Sequence, residues 1–197
     1  MEESYEISDP RVLKVVAHPL RVRLLGLLRS DGPATASELG RAVGESSGST
    51  SYHLRELARY GFIEEDPEQP DGRKRRWRSR HRYTSWDNRR MHATPEGREA
   101  VGIMQARQVE VLVQAMRSFD EADWPAEWLT AAGMSDDMVM LPAEGVCELN
   151  DRMGALVHEV AARYAGHPDA ALVQVWRAAW PRERVIEAAG REEEEER

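Results

Sequence analysis

The densest concentration of reactive side chains in this sequence is a run of cations. Seven of the ten residues at 73–82 are basic: Arg73, Lys74, Arg75, Arg76, Arg78, Arg80 and Arg82. Such a cluster attracts polyanions, and guanidinium groups suit phosphate oxygens because they offer two parallel N–H donors. The run also alternates with period two. In an extended chain Arg76, Arg78, Arg80 and Arg82 share one face, while Trp77, Ser79, His81 and Tyr83 take the other. Trp77 is then expected to pack on helices, leaving the arginines to solvent or phosphate. A second constellation lies upstream, where Ser49, Thr50, Tyr52, His53 and Arg55 place short polar, aromatic and cationic donors near the start of a helix. Side chains of these types suit the base edges of a DNA major groove. The plainer reading of the basic run is a solvated charged loop, and its position directly after these donors argues against it.

Other chemistries lack their residues. There is no Gly-rich phosphate loop, no nucleophile elbow and no His-Glu-x-x-His zinc motif, so the chain is read as no enzyme. The single cysteine, Cys147, forbids an intrachain disulfide and a cysteine-based zinc finger, and is expected to be a small buried hydrophobe. His158, Glu159, His167 and Asp169 supply metal-ligand types, but their spacing matches no motif, so neither metal nor cofactor is expected. Trp124, Trp128, Trp176 and Trp180, with Met134, Met138 and Met140, are candidates to line an apolar pocket for a small-molecule effector. A dimer or domain core is the plainer reading of those large side chains.

Net charge is informative only when divided along the chain. Residues 1–90 carry 17 Lys and Arg against 14 Asp and Glu, a net of +3, and residues 91–197 carry 10 against 21, a net of −11. Five glutamates, Glu192 to Glu196, stand near the end. Opposite signs predict two parts with different partners. At 197 residues with 41% hydrophobic positions, there is material for a real core. No apolar run reaches the roughly 18 to 20 residues of a membrane helix, and the acidic start lacks the pattern of a secretory peptide. The expected location is the cytoplasm, with no membrane partner.

The first sixty residues hold repeated helix-start signals. Asp9-Pro10 and His18-Pro19 each set a cap before a proline at the first helical position. The second of these helices carries Leu20, Leu24, Leu25, Leu27 and Leu28, a broad apolar stripe. Thr35-Ala36-Ser37-Glu38 is a capping box, and the helix it opens runs to Gly44. Another follows from Ser47 to Tyr60-Gly61, with Ser51, Leu54 and Ala58 on one face and Ser49, Thr50, Tyr52 and His53 on the opposite side. Two helices joined by a tight turn predict a helix-turn-helix. A strand at 62–65, the turn around Asp71-Gly72 and the basic strand then make a hairpin, or wing.

The stretches AHPLRVRLLGLL, TASELGRAVG, GSTSYHLRELARYGFIEE and DGRKRRWR together resemble the arsenic-repressor (ArsR) type of winged-helix regulators over roughly residues 10–83. The resemblance implies a dimeric regulator of transcription on double-stranded DNA, usually a repressor released by a ligand. It also places Ser49, Thr50, Tyr52 and His53 at the major groove and Arg73 to Arg76 in the wing. The chain departs from the family's thiolate metal sensors, having no Cys-x-Cys in the recognition region.

The remainder is read from periodicity alone. A long helix begins at Thr94-Pro95-Glu96, with one seam of Val101, Met104, Val111 and Ala115 and another of Val109, Leu112, Met116 and Phe119. A short helix ends near Trp128, another opens at Pro142, and strands are expected at 138–141 and 172–180. The fold class expected is mainly α with small β: a winged helix-turn-helix at 1–92, a helical and small-sheet domain at 93–190 for dimerisation and effector sensing, and an acidic tail at 191–197. The functional expectation is a sequence-specific, homodimeric DNA-binding regulator, read as a repressor. The alternatives are a winged-helix protein-interaction module, or a metal or small-molecule sensor whose DNA binding depends on its effector.

Overall fold

Each helix in the first sixty residues begins where its cap stands. The computed structural model describes residues 2–68 and 75–182, and the chain divides into two units, Met1–Trp124 and Pro125–Arg197. Helix α1 (Pro10–Val16) is capped by Asp9, whose carboxylate accepts from the Arg11 N–H at 2.8 Å. Helix α2 (Pro19–Ser30) is capped by Nδ1 of His18, which accepts from the Leu20 N–H at 3.2 Å. At α3 (Ala36–Val43) the capping box closes both ways: Thr35 Oγ1 accepts from the Glu38 N–H at 3.3 Å, and the Glu38 carboxylate accepts from the Thr35 N–H at 2.7 Å. Gly44 then ends α3 with φ 74°, a left-handed conformation that favours glycine.

The turn from α3 into α4 (Ser47–Arg59) is tight because Gly40 has no side chain. A Cβ there would lie 2.8 Å from the Glu45 carbonyl oxygen and 3.0 Å from Thr50 Oγ1. Ser46 caps α4, its hydroxyl accepting from the Ser49 N–H at 3.2 Å. Helix α4 ends where expected, and the chain turns at Gly61 into a strand.

Three strands make the wing sheet: β2 (Ala34–Thr35), β3 (Ile63–Glu65) and β4 (Arg76–Ser79), antiparallel, with β4 in the middle. The alternation expected of β4 is present, with Trp77 and Ser79 buried and Arg76 and Arg78 half-exposed. It carries on past the bend at Arg80, half-exposed, to buried His81 at the start of β5 (His81–Trp86), and it ends at Tyr83, expected on the Trp77 face but exposed. Strand β5 pairs in parallel with β1 (Glu2–Ile7), in register from Glu2 opposite His81 to Ile7 opposite Trp86. Ile7 is buried, and the Tyr5 ring meets Phe62 edge-on at 4.9 Å, so β1 is anchored by side chains as well as by its ladder.

One core joins these elements. Leu13, Leu24, Leu54, Leu57 and Phe62 are fully buried in it, with Trp77 closing it from the wing side. Past α5 (Asn88–His92), the long α6 (Pro95–Glu121) packs on α1 and α5. Its N-terminal half adds Ala100, Val101 and Met104 to the core, whereas Val109, Val113 and Met116 farther along stay exposed. The first unit thus continues through α6, well past residue 92.

The second unit is helical where described. It contains α7 (Ala126–Ala131) and α8 (Ala143–Arg163), and no strand forms among its described residues. This corrects the expectation of strands at 138–141 and 172–180. Apolar alternation there finds no partner strand among the described residues. A side chain ties the returning segment to α8 instead, Arg177 Nη1 donating to the Asn150 carbonyl at 3.0 Å. Cys147 is exposed on α8, against the expectation of burial. The fold class, mainly α with small sheets and an N-terminal winged helix-turn-helix, is as expected, with every described strand in the first unit. No described helix is long and apolar enough to cross a membrane.

Candidate nucleic-acid interface

Helix α4 is held by one face. Thr50, Leu54 and Leu57, at steps of four and three, are each fully buried. Thr50 was expected to read a base, and its burial puts it out of reach of one. Its hydroxyl instead donates to the Ser46 carbonyl at 2.9 Å, which satisfies a polar side chain inside the core. Tyr52 and Arg55 lie on the exposed face, Tyr52 being 52% accessible, with Ser49 and Ser51 half-exposed beside them.

His53 is half-buried and engaged from behind. Its ring lies 4.5 Å from that of His18, the cap of α2, tilted by 34°, while the Tyr52 ring meets it edge-on at 5.1 Å. The Arg21 Nε donates to His53 Nδ1 at 3.3 Å, and Arg21 Nη1 holds the Val15 carbonyl at 2.7 Å. Because a guanidinium can only donate, Nδ1 must be the acceptor, so neutral His53 carries its proton on Nε2. Burial, reinforced by the Arg21 charge, pushes the His53 pKa below the usual imidazole value, against smaller opposing effects of Glu45 and Glu56. Burial lowers His18 as well, followed by the charges of His53, Arg21 and Arg107.

The wing arginines are engaged by carboxylates on the neighbouring strand. Arg78 donates through Nε and Nη2 to Glu64 at 2.9 and 2.7 Å, and Arg80 Nε lies 3.6 Å from the other oxygen of that carboxylate. Arg75 pairs with Glu65 at 3.0 Å, its guanidinium lying 5.6 Å from the centre of the Trp77 ring. Arg76 donates to the Pro33 carbonyl. Arg73 and Lys74 lie outside the described residues. Sequence reasoning missed this neutralisation, although β3 carries its two glutamates opposite Arg78 and Trp77. Behind the hairpin, Arg29 donates to the His81 carbonyl at 3.1 Å and to Thr84 Oγ1 at 2.8 Å, and burial lowers its pKa to about 10, leaving it charged at neutral pH.

Between α3, α4 and the wing lies an open cleft of about 380 Å³, whose walls include Ser37, Arg41, Ser51, Arg55, Arg75 and Trp77. Sequence reading placed Arg55 and Arg75 at DNA, Trp77 against the helices and Ser51 on the face of Leu54 and Ala58, and it gave Arg41 no role. The i, i+4 step from Ser37 to Arg41 and from Ser51 to Arg55 was available as a signal.

The remaining candidates occupy the rest of the chain. Trp124 stacks on Phe119 at 5.9 Å beyond the end of α6. Trp128 and Trp176 are half-buried and Trp180 is largely exposed. Glu159 pairs with Arg163 at 2.7 Å, and His167 Nδ1 accepts from the Asp169 N–H at 3.2 Å. Among the described residues, no three or more His, Cys, Asp or Glu side chains gather as a metal site.

Comparison with known proteins bears on the same segment. Residues 16–66 match the family model of a helix-turn-helix domain, spanning α2 through β3. The N-terminal unit carries a winged helix-turn-helix. This is the type of domain that DNA-binding transcriptional regulators use. No curated protein matches the chain. Among solved structures, the chain is similar to the adhesin competence repressor of Streptococcus pyogenes, at 11% identity over 73% of this chain and 81% of that one, with a TM-score of 0.30. It is also similar to a MarR family regulator from Neisseria meningitidis, at 16% identity over 77% and 78%, with a TM-score of 0.29. Likeness at this level says nothing of what the chain binds.

Proposed function

We propose that this protein is a transcriptional regulator of the arsenic-repressor-like kind, which binds operator DNA as a homodimer and represses from there. The observation that carries the reading is the division of α4. Its Thr50, Leu54 and Leu57 face is sealed in the core, while Tyr52 and Arg55 stand exposed beside a hairpin bearing Arg75, Arg76 and Arg78. In the complex, Ser49, Tyr52 and His53 face the major groove, Arg55 contacts the DNA beside them, and the wing arginines lie on the flanking backbone. A two-fold dimer would set half-sites about one helical turn apart. Support for assembly comes from the second unit, whose helix α8 exposes Leu149, Met153, Leu156 and Val160 at helical spacing. The pairing of Arg75, Arg78 and Arg80 with Glu65 and Glu64 favours one competitor, a winged-helix module that binds protein.

The test is duplex binding by the purified chain at two salt concentrations. DNA from upstream of its own gene should bind more tightly than scrambled duplex, with affinity falling as salt rises. Tyr52→Ala should lower discrimination at a base position by about 1–3 kcal/mol while leaving affinity for scrambled DNA nearly unchanged. Absence of binding to any duplex at low salt would leave the protein-interaction module as the better reading.

A further inference from the structure

We infer that the cleft between α3, α4 and β4 is an oxyanion site for phosphate groups, with Arg41 and Arg55 as its cationic walls. Its occupancy by a backbone phosphate rests on the DNA-binding reading above; its occupancy by a free phosphate does not.

Arginines on this face have two kinds of surroundings. Arg75, Arg78 and Arg80 meet carboxylates of β3. Arg41 and Arg55, one from each helix of the helix-turn-helix, form no ion pair with any described residue, and both line the cleft. One carboxylate, Glu38, also lines the cleft, and it is engaged at the helix cap, accepting from the Thr35 N–H at 2.7 Å and from its hydroxyl at 2.8 Å. That capping contact is the main cause of its lowered pKa, with Arg76 and Arg41 adding smaller effects through their charge. Ser37 and Ser51 add hydroxyl donors that no described residue engages.

Arg41 and Arg55 both line one concavity, and an oxyanion seated there would take charge-assisted hydrogen bonds from their guanidiniums. A volume of about 380 Å³ is at the low end for small-molecule pockets, which run to roughly 300–1,000 Å³. The mouth is open, and the walls mix charged and hydroxyl side chains with Ala36 and the Trp77 ring, so a hydrated phosphate can keep its water while meeting the arginines. Arg75, held by Glu65 with its guanidinium near the Trp77 ring, fixes the far wall of the cleft.

The experiment uses the full chain, inorganic pyrophosphate and a scrambled duplex as probes, and the variants Arg41→Gln and Arg55→Gln. Arg59→Gln serves as the control, removing an equal charge from α4 at a residue outside the cleft lining. Pyrophosphate should shift the amide resonances of Ser37, Arg41, Ser51 and Arg55. Its affinity should fall about tenfold in each cleft variant and stay unchanged in Arg59→Gln. The log–log salt slope of duplex binding should drop by about 1 in each cleft variant, as expected for one lost phosphate contact. Pyrophosphate binding with an unaltered duplex slope supports the site and identifies a free phosphate as its occupant. A reduced slope without pyrophosphate binding supports it with a backbone phosphodiester as the occupant. Unmoved cleft resonances, together with cleft variants that bind duplex no differently from Arg59→Gln, would overturn the proposal. A chain that takes pyrophosphate but no duplex at low salt would overturn the DNA-binding reading and leave the anion site standing.

Discussion

The two units of this chain use similar helices to different ends. In the first, α1 to α4 and the start of α6 turn their apolar stripes onto one another, and Leu13, Leu24, Leu54, Leu57 and Phe62 lose all contact with water. In the second, α8 has the same periodicity of apolar residues, yet no described residue of that unit is buried, and Met138, Met140, Leu156, Leu172 and Trp180 are all largely exposed. Amphipathic pattern makes a helix, but a second surface is needed to make a core. The first unit supplies that surface internally and leaves its polar face free for a ligand. The second leaves apolar side chains along α8 exposed, which is the physical basis for proposing a role in assembly.

Substitutions in the two units should therefore behave oppositely. Leu54→Ala removes a fully buried side chain and should cost about 2–5 kcal/mol, read as a large drop in the thermal unfolding midpoint. Leu156→Ala, at a side chain 57% exposed, should change unfolding by no more than about 0.5 kcal/mol, while weakening self-association in sedimentation velocity. Equal destabilisation by both would erase the contrast between the units.

A smaller effect is expected at the junction of α3 and α4. Gly40→Ala forces a methyl group against the Glu45 carbonyl, a backbone atom that cannot swing aside, and should cost about 1–3 kcal/mol. A neutral or stabilising result by chemical denaturation would mean that the turn is looser than its contacts indicate.

The smallest effect is a dependence on pH. His18 and His53 have folded pKa values below the usual 6.5, so as pH falls the unfolded chain takes up protons first. Their contribution to stability is whole above about pH 7 and is lost progressively as pH drops from 6.5 through the folded values. Melting midpoints should decline from pH 7 to pH 5, less steeply in the double variant His18→Gln and His53→Gln. Imidazole resonances of the folded wild type titrating at or above 6.5 would contradict the direction assigned.

What the amino-acid sequence alone made legible was local. Asp9, His18, the Thr35–Glu38 box and Gly44 act within a few residues, and each sits at the helix end its type predicted. Long-range partners were harder to see. Strand β1 pairs with a strand about 80 residues away, and no short pattern announces that. Thr50 looked like a base reader because of its hydroxyl, but it lies four residues before Leu54 on the buried face and meets its hydrogen-bonding need within its own helix. The wing's arginines were legible as a face, whereas Glu64 and Glu65 became their partners only through the cross-strand register. At 138–141 and 172–180 alternation suggested strands, and alternation does not supply a pairing edge.

The most direct test of the central claim is a footprint of the full-length protein on the DNA upstream of its own gene and its neighbours, against scrambled duplex, at low and moderate salt. The account predicts a protected two-fold site, with half-sites about one helical turn apart, that survives the higher salt while scrambled DNA is released. Protection that disappears equally from both duplexes as salt rises would contradict it.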